Sequence, residues 1–199
     1  MKHDYRGGFL KDSDYQRSAV PMTKEEVRWL SLLKLRIAPA DHVLDIGAGT
    51  GSVAIGAARL APEGAVTAVE KSPEAAALIR SNGERLGATN LQVLEGTAPE
   101  VLEGLESFDC IFIGGSSGEM ARLVDWAAER LPAGGRLVVN TVTVENGAEA
   151  LKAMKLGPFE ALEIIQVSVA RGRSAGQVTL WEAQNPVTIL SAVRRNHER

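Results

Sequence analysis

Three glycines, Gly47, Gly49 and Gly51, follow directly on the apolar run Val43-Leu44-Asp45-Ile46, and an acid, Glu70, stands 19 residues after the last of them. Glycines at the end of a strand let a ligand come close to the backbone, and an acid closing the next strand can accept both hydroxyls of a ribose. A dinucleotide fingerprint would put its third glycine one place later, where Ser52 stands. A P-loop would follow its last glycine with Lys and Ser/Thr, whereas Ser52-Val53 follows here. Neither phosphate reading fits well. Glu70 also disfavours a ribose with a 2′-phosphate, which it would repel.

Elements that could hold these residues are visible around them. His42–Ile46, Ala65–Glu70, Leu91–Glu95, Cys110–Ile113 and 136–140 read as buried strands bounded by Gly, Pro or polar residues. Pro73–Leu86 and 119–131 read as helices; in the second, Met120, Leu123, Val124, Ala127 and Leu131 share one face. Ser72-Pro73 supplies an N-cap and a proline at the first helical position. The alternation means βαβ units, hence a mostly parallel sheet with helices on both faces. Residues 162–170 and 177–184 are strand-like runs joined by a segment, 171–176, too short for a helical crossover. They are expected to pair as an antiparallel hairpin at one sheet edge. Residues 1–22 read as an N-terminal segment contributing to the site entrance, 23–190 as the domain, and 191–199, with Arg194, Arg195 and Arg199, as a polar solvated tail.

The totals bound the class of protein. A chain of 199 residues, 45% hydrophobic and 24% charged, suits one soluble domain. No apolar run approaches membrane-spanning length, and the N-terminus is too polar for a signal peptide, so cytoplasmic location without membrane association is expected. A net charge of −3 speaks against a nucleic-acid partner. Cys110, the one cysteine, excludes an internal disulfide and a four-cysteine zinc site. His3, His42 and His197 have no ligand-like spacing, and no metal is expected.

The loop Gly47-Ala48-Gly49-Thr50-Gly51, the spaced Glu70 and the later Glu95-Gly96-Thr97-Ala98-Pro99 together resemble the class I methyltransferases. That resemblance implies a Rossmann-like α/β fold, with a mostly parallel seven-stranded sheet and a C-terminal antiparallel hairpin. It also implies S-adenosyl-L-methionine as cofactor. Gly47, Ala48, Gly49, Thr50 and Gly51 would flank its amino-acid and ribose parts, Glu70 its ribose hydroxyls, and Thr97 and Ala98 its adenine. After Ile113 stands Gly114-Gly115-Ser116-Ser117-Gly118, not the Asp/Asn-Pro-Pro-aromatic tetrad of adenine and glutamine N-methyltransferases.

More specific are Pro21-Met22-Thr23-Lys24-Glu25-Glu26-Val27-Arg28, Phe112-Ile113-Gly114-Gly115-Ser116, Gly134-Gly135-Arg136, Asn140, Val142-Thr143-Val144-Glu145 and Asn185-Pro186-Val187. In this order, over about 23–187, they resemble the CbiT family, the decarboxylating precorrin-6B methyltransferases of cobalamin biosynthesis. The family implies methylation of a corrinoid precursor at carbon 15, decarboxylation of its ring C acetate, and a homotetramer. It adds Thr23 to the cofactor contacts, although Thr23-Lys24-Glu25-Glu26 equally reads as a capping box. Thr97 stands where the family often has Asp, which leaves the backbone to meet the adenine.

A substrate rich in carboxylates calls for cations, and Arg17, Lys24, Arg171 and Arg173 are the candidates. Glu145 is a candidate acid/base or orienting group; as an acid in a helix's first turn it also has a structural explanation. Two other readings stay open: an RNA or protein methyltransferase on the same fold, and a non-catalytic cofactor-binding module. Intact Gly47, Gly49, Gly51 and Glu70 speak against the second.

Overall fold

Side-chain alternation along the central strand β1 (His42–Ile46) divides the molecule into two apolar layers. Leu44 and Ile46 enter a cluster with Leu123, Val124 and Ala127 of α4 (Met120–Arg130) and with Ala150 and Met154 of α5 (Val144–Leu156). Val43 joins the opposite cluster, with Val27 and Leu32 of α1 (Glu25–Leu35), Val53 and Ile55 of α2 (Ser52–Leu60) and Ile79 of α3 (Pro73–Leu86). Helices cover both faces, which is why the central strands read as nearly continuous apolar runs.

The structure, a computed structural model, describes residues 9–196, so His3, His197 and Arg199 lie outside it. Besides β1, the parallel strands are β2 (Ala65–Glu70), β3 (Leu91–Glu95), β4 (Cys110–Ile113) and β5 (Arg136–Thr141). All five lie where the sequence predicts them, β5 running one residue further. In the seven-stranded sheet these five lie side by side in the order β3-β2-β1-β4-β5, with two further strands beyond β5. Chain order reverses between β1 and β4, and such a switch point opens a crevice at the C-terminal strand ends. Ser72 caps α3 as expected, its Oγ accepting from the Ala75 N–H at 3.3 Å.

The C-terminal part corrects the sequence reading. In the sheet, β9 (Val187–Arg194) is inserted between β5 and β6 (Phe159–Val167) and pairs antiparallel with both. A C-terminal antiparallel hairpin is present, but not between the predicted runs: residues 162–167 belong to β6 and pair with β9, and the hairpin is β7 (Ala170–Ala175) with β8 (Val178–Ala183), a two-stranded ribbon apart from the sheet. Residues 171–176, read as a connection, are mostly strand β7, whose Arg-Gly-Arg-Ser composition carries no apolar alternation. The supposed tail begins inside β9, where Ala192 is buried and Arg194 donates to the carbonyl of Ala128 at 2.8 Å.

The N-terminal segment is pinned to the domain. Arg28, with no exposed surface, donates to the carbonyls of Leu10 (2.6 Å) and Thr23 (2.7 Å) and to Asp12 Oδ1 (3.1 Å). Its guanidinium also lies 4.8 Å from the centre of the Tyr15 ring. Burial pushes the Tyr15 hydroxyl up to about 12, with the Arg28 charge opposing the shift. The capping-box expectation fails. Lys24, not Thr23, precedes the first residue of α1, and no side chain caps the helix. Among the described residues no helix is long and apolar enough to cross a membrane, and no group of three or more His, Cys, Asp or Glu could hold a metal ion.

Candidate active site

The glycine loop leaves β1 under tight constraint. The Gly47 and Ala48 N–H groups both donate to the Val69 carbonyl, at 2.9 and 3.1 Å, which bends the chain back across the end of β2. Gly47 then adopts φ +74°, and a Cβ there would sit 2.7 Å from the Gly115 nitrogen. Gly49, at φ +56°, faces the carbonyl of Pro21, which a Cβ would approach to 2.7 Å. Both positions need glycine for conformation and for space. The backbone of residues 47–49 thus lies bare along the floor of a cleft of about 670 Å³.

Glu70 closes β2 at the edge of this floor, only 9% exposed. One carboxylate oxygen accepts from the Gly49 N–H at 2.9 Å, the other from the Ser72 N–H at 3.0 Å. Each oxygen of a carboxylate can accept twice, so a lone pair remains on each for a ligand hydroxyl. Glu70 therefore fixes the loop and offers a two-point acceptor at once. Glu70→Gln retains one carbonyl oxygen and loses the charge. It is expected to weaken binding of the adenosyl product S-adenosylhomocysteine about tenfold, or about 1.4 kcal/mol, as titration calorimetry would show. Unchanged affinity would mean that Glu70 serves the loop alone.

Thr23, Lys24, Gly47, Ala48, Gly49, Glu70, Thr97 and Ala98 all border the cleft. Thr50 and Gly51 do not. They are buried behind it, where Gly51 is the N-cap position of α2 and the Thr50 carbonyl accepts from Asn82. Glu145 is exposed in the first turn of α5, and its neighbour Asn146 borders the cleft in its place. Arg17, Arg171 and Arg173 stand outside the lining. Arg171 lies 2.8 Å from the Glu26 carboxylate and 3.6 Å from that of Glu25, while Arg173 lies 3.8 Å from Glu182. Those partners are remote in sequence or on the opposite ribbon strand, so no spacing rule could have revealed them.

The structure brings into the site residues to which the sequence reading gave no role there. Lys71, next to Glu70, lines the cleft and donates to Ser117 Oγ at 3.0 Å. Asn140, at the end of β5, exchanges hydrogen bonds with the buried Ser31 and also lines it. Ser116 follows β4 with its Oγ buried and unpartnered. Asp45 lies beneath the floor, fully buried, with neither carboxylate oxygen in a well-formed hydrogen bond. Burial pushes its pKa up to about 7; the Glu70 charge adds to the rise and the Ala54 amide opposes it.

These features fit an adenosyl cofactor: a bare glycine floor, a two-point acceptor at ribose position, and an unsatisfied hydroxyl at Ser116. Comparison with known proteins agrees. A family described as the precorrin methyltransferase domain matches residues 14–194. The probable cobalt-precorrin-6B C(15)-methyltransferase (decarboxylating) of Saccharolobus solfataricus is 39% identical over 195 residues, covering 96% of this chain and 98% of that protein. The cobalt-precorrin-6B C(15)-methyltransferase (decarboxylating) of Salmonella typhimurium is 38% identical over 192 residues, covering 96% and 99%. Among solved structures, precorrin-6y C5,15-methyltransferase from Geobacter metallireducens superposes with a TM-score of 0.87 at 34% identity, covering 93% of this chain and 96% of that one. Its motifs, its sheet order and these full-length similarities agree on one conclusion: the chain belongs to the precorrin methyltransferase family.

Proposed function

We propose that this chain methylates a corrinoid precursor, cobalt-precorrin-6B, at carbon 15 and removes the carboxyl group of its ring C acetate as carbon dioxide. The observation that carries this reading is the cleft itself. One half has the glycine floor and Glu70; the other is bordered by Gly114, Gly115, Ser116 and Asn140 and carries the ammonium groups of Lys24 and Lys71. S-adenosylmethionine, when bound, supplies an electrophilic methyl group on a sulfonium. The protein's task is then to hold a nucleophilic carbon in line with it and keep water out.

In this reading Glu70 holds the ribose hydroxyls, residues 47–49 flank the amino-acid part, and Thr97 and Ala98 meet the adenine, with Thr23 in the wall; all border the cleft. In the substrate half, Lys24 and Lys71 are the cationic side chains of the lining and meet the substrate's carboxylates. Arg171 and Arg173 lie outside the lining beside acids, and this reading assigns them no contact. Exposed Val142 and Val144, beside the cleft, offer apolar surface to a macrocycle face. Carbon dioxide leaves behind an electron pair that the conjugated ring absorbs, and a proton then completes the new methyl group.

Anaerobic incubation with S-adenosylmethionine and cobalt-precorrin-6B, followed by mass analysis of the corrinoid, tests the reading. A methyl gained together with one carbon dioxide lost is the expected result. An unchanged mass, with S-adenosylhomocysteine bound normally, would overturn the substrate.

The β7–β8 ribbon supports the further proposal of a homotetramer. Its Val178, Leu180 and Trp181 are exposed, Trp181 at 80%, and a two-stranded ribbon is only marginally stable in water without a covering surface. A second copy of the chain supplies that cover. Light scattering is expected to give a tetramer mass; a monomer would overturn the assembly.

A further inference from the structure

We propose that Asn82 is a positioning residue for the cofactor half of the cleft, tying a strap formed by residues 10–23 to the glycine loop. The inference rests on the reading that this half takes S-adenosylmethionine. Asn82 sits in the interior of α3 with no exposed surface, a costly place for an amide unless its bonds are all made. They are made. Its Oδ1 accepts from the Gln16 N–H at 2.7 Å and from Arg85 at 3.3 Å. Its Nδ2 donates to the Gln16 carbonyl and to the Thr50 carbonyl, each at 3.2 Å.

One side chain thus pairs with both backbone groups of Gln16, as a neighbouring strand would, and its remaining bond reaches the glycine loop. The amide cannot be turned round. Gln16 N–H needs an acceptor, while the two carbonyls need a donor.

Neighbouring contacts follow the same line. Ser81 Oγ donates to Gln16 Oε1 at 2.7 Å, the Tyr15 hydroxyl to the Ser52 carbonyl at 3.1 Å, and Arg85 to the Asp14 carbonyl. At the other end of the strap, Arg28 holds the Thr23 carbonyl at 2.7 Å. Residues 17–19 between these anchors are exposed. Val20, Pro21 and Met22 then return to form a wall of the cleft, with the Pro21 carbonyl packed on Gly49. The strap is anchored at both ends and does its work in the middle. Freeing the Asn82 end loosens that wall and the Thr50 carbonyl together.

Two variants test this from opposite sides. Asn82→Asp keeps the acceptor for Gln16 N–H and removes both donated bonds. Gln16→Pro removes the strap's N–H, together with the side-chain amide that accepts from Ser81, and leaves the sequence of α3 unchanged; Tyr15 is already extended (φ −99°, ψ 139°), as a residue before proline must be. In the ligand-free protein, trypsin cleavage after Arg17 is expected to quicken about tenfold in both variants, because the segment opens more often. S-adenosylhomocysteine affinity is expected to fall about tenfold. The KM for S-adenosylmethionine should rise with kcat little changed, since the substrate half is intact.

A lowered Tm with wild-type affinity at 25 °C would make Asn82 merely structural and overturn the proposal. So would unchanged cleavage after Arg17. If Asn82→Asp does not fold, Gln16→Pro decides alone. If the wild type itself fails to bind S-adenosylhomocysteine, the cofactor reading fails and the positioning role with it, while the cleavage rates still judge the tie between strap and loop.

Discussion

Replacing Gly47 by alanine is expected to lower the free energy of unfolding by about 2–4 kcal/mol and to abolish measurable cofactor binding. Two costs combine. At φ +74° an L side chain is strained whatever the space around it. The added Cβ would also meet the nitrogen, Cα and carbonyl oxygen of Gly115 at 2.7–2.9 Å, and these are backbone atoms that cannot rotate away. Relief requires parting β1 from β4 where Gly114 N–H donates to the Ile46 carbonyl at 2.8 Å, the point from which the cleft floor is built. The opposite change is an internal control. A Cβ on Gly115 would lie 3.8 Å from the Gly47 Cα, an ordinary contact, so Gly115→Ala is expected to cost less than about 1 kcal/mol. Denaturant unfolding and S-adenosylhomocysteine titration on both variants check the pair. Equal effects would show that crowding at Gly47 is not what holds the floor.

That asymmetry marks the limit of what a one-dimensional reading reveals. The glycine pattern was legible, and so were β1 to β5, because strands buried on both faces are written as unbroken apolar runs. The same logic hid β7, which has no covered face in the chain and so no apolar alternation. It also hid the order of the last strands. Insertion of β9 between β5 and β6 depends on a pairing of distant segments that leaves no local mark. Thr23 shows a pattern fulfilled in type but not in role. The Ser/Thr-x-x-Glu spacing is present, yet the helix starts one residue later and buried Arg28 takes the Thr23 carbonyl. Arg171, the sequence's candidate cation for an anionic substrate, stands outside the cleft lining beside Glu25 and Glu26, acids remote from it in sequence. Conversely, nothing in the sequence singles out Asn82 within the helix Pro73–Leu86. Its significance lies in Gln16 and Thr50, which only the folded chain brings to it.

Asp45 was visible in the sequence as the acid that interrupts an apolar run, and its burial sets the second large effect. The wild type is expected to lose stability as pH rises from about 4 to about 7, and Asp45→Asn to lack this loss. In the unfolded chain the carboxyl titrates near the usual value of about 4. In the folded protein burial pushes it up to about 7, with the Glu70 charge adding to the rise. Between those values the folded state holds a proton that the unfolded state has released. Stability is therefore complete below about pH 4 and falls as pH climbs through the folded pKa, the reverse of an ion-paired carboxylate. A shift of about three pH units corresponds to a scale of about 4 kcal/mol, reached above pH 7. Unfolding free energies at pH 5 and pH 8 should thus differ strongly in the wild type and far less in Asp45→Asn, which becomes the more stable of the two at pH 8. Glu70→Gln removes only the secondary cause, so it should lower the folded pKa and shrink the slope in part. A slope that persists in Asp45→Asn would assign the pH dependence to other groups. A slope abolished in it would identify a carboxyl beneath the glycine loop that weakens the fold when ionised, under the floor on which the proposed cofactor rests.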